Sequence, residues 1–191
     1  MKPATALLIV LSCGFCFAQR GSAPAAPASV GAALDREITL VERQIVAAVE
    51  SMPEEKFNFT PESLDIKGAN FKGVYTFAGL VKHLAAANYF LWNGAGGDPI
   101  PRSITGIKGP ESMTDRAEII QLLKDSFASG HHAAAALTSD NSLDLVNGPG
   151  GNKVPRVFAL TFGATHALDE YGQMEEYLRM NGIVPPASRG N

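Results

Sequence analysis

The sequence predicts an all-α domain, most simply a four-helix bundle with long loops between the helices. Four segments carry apolar residues at spacings of three and four, which is the period of an amphipathic helix. The stretches between them are rich in glycine, proline and asparagine, and they are longer than the usual connections of an up-and-down bundle. The chain has 191 residues, enough for one domain with a substantial core. Four such helices bury their apolar faces most simply by packing together.

The first two predicted helices have clear start and stop signals. The first covers residues 34–52, where Asp35 can cap the start and the proline at position 53 ends the helix. A long connection follows. Thr76 is a typical N-cap for the second helix, residues 77–92, and His83 borders the apolar stripe of that helix.

The third predicted helix covers residues 116–139 and begins at a cap provided by Thr114 or Asp115. His131 falls on its apolar face, so we expect a histidine at the edge of the core. A supporting contact with a metal ligand is the alternative for this residue. The next residue, His132, is expected to lie in solvent.

The fourth predicted helix covers residues 155–181. Pro155 suits a first helical turn, and Gly182 suits the position just after the last turn. The preceding loop, "DNSLDLVNGPGGNKVP", has room for a brief extended piece, and its "GPGG" lacks the surroundings of a phosphate-binding loop. Within the helix, His166 and Glu170 stand four residues apart, which makes them neighbours on one face.

Residues 1–18 have the features of a signal peptide and are left out of the fold prediction. One lysine precedes an apolar stretch of about the length of a signal-peptide core, and small residues precede a cleavage point after Ala18. We therefore expect export, to the periplasm or out of the cell. Two alternatives are an uncleaved N-terminal anchor and a lipoprotein attached at Cys13. Residues 19–33 are rich in alanine and proline and are predicted to form a tether.

Charge and cysteine content exclude several classes of partner and site. The formal net charge is −3 and no basic run occurs, so we expect neither nucleic-acid binding nor, after signal cleavage, stable membrane insertion. Both cysteines, Cys13 and Cys16, lie in the signal segment. The mature chain would therefore have no disulfide, no thiol nucleophile and no cysteine-based zinc site.

His166 and Glu170 are candidate metal ligands. Polar side chains that face inward from an amphipathic helix need partners, because burying them unpaired is costly. Imidazole and carboxylate together suit zinc, nickel, iron or manganese. A third ligand has to come from another helix, and His83 is the obvious donor. The alternative is a half-buried histidine that bonds the backbone, beside a solvated acid.

Three stretches resemble the DinB-like (YfiT-like) superfamily: "TFAGLVKHLAAANYF", "HALDEYGQ" and "YLRMNGIVPP". The resemblance extends over residues 34–186, which we take as the domain, leaving 187–191 as a tail. It implies a four-helix bundle of DinB/YfiT-like type that holds a divalent metal, commonly zinc or nickel, with three histidines at one end. By position these correspond to His83, His166 and residue 170, which is glutamate in this chain.

The glutamate at position 170 leaves two interpretations. The site can be a variant with two histidines and one carboxylate, in which the carboxylate lowers the net charge of a bound divalent ion from +2 to +1. Alternatively, the chain has lost its metal. Tyr171 and Gln173 follow the matched motif, where they either orient a ligand or simply pack and bond a neighbouring helix.

Two classes of function follow from these predictions. One is a metal-dependent hydrolase or transferase with an unknown small-molecule substrate, and export argues against a version that activates a small cytoplasmic thiol. In a further variant, Glu170 is a general base beside a metal held elsewhere. The other class is a non-catalytic helical module that binds a ligand or dimerises with a second copy.

Overall fold

The computed structural model describes residues 28–190 and consists mainly of four helices. They are α1 (Val30–Ser51), α2 (Phe77–Trp92), α3 (Arg116–Ala135) and α4 (Arg156–Met180). α1 and α2 each pack mainly against α3 and α4 rather than against each other. The predicted four-helix bundle with long loops is therefore confirmed, and the connection between α1 and α2 crosses the bundle.

α1 begins earlier than the sequence predicts. The side chain of Ser29 accepts a hydrogen bond from the backbone N–H of Ala32, at 3.0 Å, and thus caps the helix in place of Asp35. Residues 30–33, assigned above to the tether 19–33, are therefore helical. Close packing explains the difference, because a Cβ on Gly31 would lie 2.4 Å from the carbonyl oxygen of Ala134. Residues 1–27, including the predicted signal peptide, lie outside the described part of the chain.

The predicted start of α2 and one of the two predicted starts of α3 are confirmed by their caps. Thr76 Oγ1 accepts from Gly79 N–H at 2.9 Å, and Asp115 Oδ1 accepts from Glu118 N–H at 2.9 Å. α3 ends at Ala135, four residues before the predicted end. The side chain of Asn141 explains this early end, because it donates to the carbonyl of Ala136 and turns the chain away from the helix.

A two-stranded antiparallel hairpin leads into α4. Its strands are β1 (Leu145–Asn147) and β2 (Lys153–Pro155), with Val146 opposite Val154. These strands are the brief extended piece that the sequence allows in this loop. After the last turn of α4, Gly182 has a φ of +73°, the left-handed conformation predicted from its position beyond the helix end.

Trp92 is the centre of the core and fixes three helices against one another. It is fully buried, and its Nε1 donates to the carbonyl of Leu160 in α4 at 3.3 Å. Gly130 of α3 and Gly163 of α4 leave room for the indole, since a Cβ on either glycine would lie less than 3 Å from it. This packing sets the position of α4 just before the turn that carries His166.

No helix within residues 28–190 is long and apolar enough to cross a bilayer.

Candidate metal centre

The bundle brings His83 of α2 together with His166 and Glu170 of α4. Glu170 Oε1 lies 3.4 Å from His83 Nε2 and 3.8 Å from His166 Nε2. One ligand atom from each residue lies within 4.8 Å of the others. The three residues singled out from the sequence therefore form one group that could hold a metal ion.

The orientation of His83 is set by two neighbours. Its Nδ1 lies 2.8 Å from the carbonyl oxygen of Ile107, and because a carbonyl can only accept, Nδ1 carries the hydrogen and donates it. The imidazole also stacks on the ring of Tyr75, with centroids 5.2 Å apart and planes 22° apart. These contacts leave Nε2 facing Glu170, which is how a backbone carbonyl orients a metal-binding histidine.

Glu170 is the most buried member of the group, with 6% of its side chain exposed against 14% for His83 and 24% for His166. Gln173 donates from Nε2 to Glu170 Oε2 at 3.2 Å. Gln173 thus contacts the candidate ligand, which is the first of the two roles that the sequence left open. Oε1 remains turned towards the two histidines.

Tyr171 takes the packing role. Its hydroxyl donates to Glu175 Oε1 at 2.9 Å, and burial together with that bond raises the pKa of Tyr171 to about 12. It makes no hydrogen bond to any of the three candidate ligands among the described residues. Tyr171 therefore packs in the bundle and does not orient a candidate ligand.

His83 and Glu170 need a cation between them. With Nδ1 holding the hydrogen, a neutral His83 presents only a lone pair at Nε2 to the carboxylate oxygen, and two acceptors repel. A proton on Nε2 is one solution. Its hydrogen bond to Glu170 raises the pKa of His83, against the opposing effect of burial and with help from the Ile107 carbonyl.

A divalent metal ion is the other solution, and the two distances at Glu170 Oε1 fit it. Two ligand atoms about 2.1 Å from a tetrahedral metal lie about 3.4 Å from each other. The separations of 3.4 and 3.8 Å at Glu170 Oε1 are close to that value. The donor set of two imidazoles and one carboxylate also suits zinc and other first-row divalent ions.

Comparison with known proteins assigns the family. A sequence profile of the DinB superfamily matches residues 37–174. The chain belongs to the DinB superfamily. A crystal structure of a DinB-like protein from Bacillus cereus ATCC 10987 superimposes with a TM-score of 0.61 at 15% identity, covering 80% of this chain and 93% of that one. At this identity the likeness concerns the fold. No curated protein matches the chain.

Membership of the DinB superfamily confirms the resemblance drawn from the three sequence stretches. The family is associated with metals, which agrees with the group of His83, His166 and Glu170. Its donors suit zinc, nickel, iron and manganese alike. The glutamate is the departure from the three-histidine set that the resemblance implies.

The supporting residues of the candidate site include three that sequence reasoning missed. Ile107 acts through its backbone carbonyl, and Tyr75 stacks on His83 from the position just before the α2 cap. Tyr177 holds Tyr75 by donating its hydroxyl to the Tyr75 carbonyl at 2.9 Å. Burial and the nearby charge of Glu170 raise the pKa of Tyr177, so its hydroxyl keeps its proton for this bond. Of these three residues, only Tyr177 could have been found from the sequence, since it lies on the same helical stripe as Glu170.

The other two histidines lie outside the site. His131 lies at the edge of the core as expected, where its Nδ1 is 2.7 Å from Asp35 and its Nε2 is 3.1 Å from Glu42. Burial lowers the pKa of His131, but its bonds to the two carboxylates outweigh burial and raise the pKa above the ordinary value. His132 is exposed as predicted and pairs with Asp98 at 2.9 Å.

A cavity of about 650 Å³ adjoins the candidate centre, and both His83 and His166 line it. Glu170 is not part of its lining. The group therefore opens to the cavity through its two histidines, while the carboxylate lies behind them. Such a volume is within the range of small-molecule sites.

Proposed function

We propose that this protein binds one divalent metal ion through His83, His166 and Glu170 and is a metal-dependent hydrolase or transferase for a small molecule. The observation that carries the proposal is the convergence of the three donors with His83 Nε2 turned to Glu170 Oε1 by the Ile107 carbonyl. A divalent ion held there would supply Lewis acidity to a water or thiol.

The residues of the chain have distinct tasks in this proposal. His83 and His166 bind the ion from the side of the cavity, where a substrate has access. Glu170 binds from the buried side and reduces the net charge of the site, and Gln173 keeps its second oxygen occupied. The reduced charge favours harder ions than a three-histidine site would.

We also propose that the chain is exported, on the strength of the signal-like residues 1–18. Hydrolysis then suits the protein better than transfer to a small thiol, because reduced thiols are mainly cytoplasmic. Attachment at Cys13 is the alternative to release from the membrane. A homodimer remains a prediction from the sequence.

A second candidate function is a helical-bundle module without a metal. The His83–Glu170 pair favours it, because a proton on His83 satisfies both groups and the contact with Glu170 raises the pKa of His83. In that case the substitution of glutamate for the expected histidine marks the loss of the ion, and the cavity binds a ligand without catalysis.

Elemental analysis of the purified chain from Gln19 separates the two candidates. We expect one metal ion per chain, lost in His83→Ala and in Glu170→Ala but kept in His132→Ala, which changes an exposed histidine outside the group. A wild-type chain that stays metal-free after incubation with zinc, nickel, iron and manganese would contradict the metal-dependent function. A Glu170→His variant that then gains a metal would identify position 170 as the point of loss.

A further inference from the structure

The cavity beside His83 and His166 has apolar walls. α2 contributes Ala87, Phe90 and Leu91, α4 contributes Phe162, and the loop between α2 and α3 contributes Ile100 and Ile107. Phe90 and Ile107 are 39% and 49% exposed, although large apolar side chains are normally buried. A cluster of exposed apolar side chains around a cavity is a mark of ligand binding.

Away from the two histidines, the cavity has no charged group that could recognise a charged ligand. Within the part of the chain that the structure describes, no lysine, arginine, aspartate or glutamate lines it. Its two asparagines are uncharged and each already makes one hydrogen bond, since Asn93 donates to the Asp98 carbonyl at 3.0 Å and Asn147 Oδ1 accepts from Lys153 at 2.7 Å. A charged group placed against these walls would lose its hydration without gaining a partner.

The hairpin closes part of the cavity with backbone. The turn residues 148–151 line it, and three of the four are glycines. The hairpin packs tightly onto the turn that follows α2, because a Cβ on Gly94 would lie 2.9 Å from the carbonyl oxygen of Asn147. This wall adds no side-chain charge and leaves space beside the two histidines.

We infer that the cavity binds a ligand with an uncharged aromatic or aliphatic body, whose one polar head reaches His83 and His166. The role of the head rests on the proposed metal site. The binding of the body rests on the apolar walls alone and requires no metal. Substrates that carry charges along the body, such as acidic peptides, do not fit these walls.

A matched pair of fluorescent probes tests whether the cavity binds the uncharged apolar body of a ligand. N-phenyl-1-naphthylamine is uncharged, and 8-anilinonaphthalene-1-sulfonate has the same ring system with one sulfonate. We expect the uncharged probe to bind the EDTA-treated chain saturably at one site, and the sulfonate to bind about tenfold more weakly because the apolar walls give its charge no partner. Absence of saturable binding, or equal affinities for the two probes, would overturn the inference.

Variants of residues that line the cavity show whether the probe binds there. Phe90→Glu and Ile107→Glu each place a carboxylate in the wall and should weaken binding of the uncharged probe by about tenfold. Leu143→Glu is the control, because Leu143 is 74% exposed and does not line the cavity. Circular dichroism identifies variants that fail to fold, and either wall variant alone decides the result. Unchanged affinity in a folded wall variant would place the probe elsewhere and refute the assignment.

A series of ligands with alkyl chains of different length tests the polar head of the ligand. It also separates the proposed metal-dependent function from the proposed apolar ligand class. On the zinc-loaded chain, octanohydroxamate should bind more tightly than acetohydroxamate, by about fourfold for each methylene that is fully buried. Equal affinities would refute the apolar body while leaving the metal site intact. If the chain binds no metal but still binds the uncharged probe, the metal-dependent function fails and the apolar ligand class stands.

Discussion

Replacing Gly163 by alanine tests whether the tight packing around Trp92 positions α4. The new Cβ would lie 2.2 Å from Trp92 Nε1, whereas ordinary contact begins at 3.4 Å, so the indole would have to move by about 1.2 Å. Gly130 packs on the same indole, where a Cβ would lie 2.6 Å from Cε3, and Trp92 has no exposed surface, so little room for such a shift exists.

Three effects determine how much Gly163→Ala changes the free energy of unfolding. Overpacking a dense core costs about 1–3 kcal/mol, and a weakened Trp92–Leu160 hydrogen bond costs about 1 kcal/mol more. Alanine in place of glycine inside a helix returns about 1 kcal/mol. We therefore expect Gly163→Ala to lower the free energy of unfolding by about 1–3 kcal/mol, which corresponds to a fall in Tm of roughly 2–12 °C.

Gly172→Ala is the matched control in the same helix, because a Cβ at this position would have no neighbouring atom within 4 Å. It should stabilise the fold by about 0.5–1 kcal/mol. Urea denaturation followed by fluorescence suits both variants, since Trp92 is the chain's one tryptophan. If the two alanines have the same effect, Gly163 is not a packing requirement and the account of how α4 is positioned is wrong.

Three more predictions concern stability around the bundle. The raised pKa of His131 means that its protonated form stabilises the fold below about pH 6.5, and that this contribution disappears as pH rises through the folded pKa. His131→Gln should therefore cost more stability at pH 6 than at pH 8.5 in urea denaturation, and equal costs would contradict the ion pairs with Asp35 and Glu42. Arg116→Met should cost about 1–2 kcal/mol in the same assay, because Arg116 donates to the last carbonyls of α1; no loss would show that these bonds add nothing. Gly94→Ala should loosen the hairpin and speed tryptic cleavage after Lys153, whereas Gly106→Ala, with open space around it, should not; equal rates would refute the close contact.

Helix periodicity was sufficient to predict most of the fold. The start of α2 at the Thr76 cap and the Gly182 stop after α4 depend on local residues, so the sequence alone predicts them. The first turn of α1 could not be predicted in this way. Its alanines and glycine resemble a tether, and only their close packing against the end of α3 shows that they are helical.

The candidate site also has parts that the local sequence predicts and parts that only the fold reveals. The i, i+4 spacing of His166 and Glu170 is local, and His83 followed from its residue type and from the family resemblance. The contact with the Ile107 carbonyl could not be predicted, because every residue has a carbonyl and only the folded loop selects this one. The glycine-rich residues 148–151 lack the surroundings of a phosphate-binding loop, and only the fold shows that they form part of the wall of the cavity.

Anomalous diffraction from crystals of the zinc-loaded chain shows directly whether His83, His166 and Glu170 bind a metal ion together. We expect one anomalous peak about 2.0–2.2 Å from His83 Nε2, His166 Nε2 and a Glu170 carboxylate oxygen, and no peak there in Glu170→Ala crystals. An empty centre at saturating zinc, or a peak bound instead by His131 with Asp35 and Glu42, would contradict it.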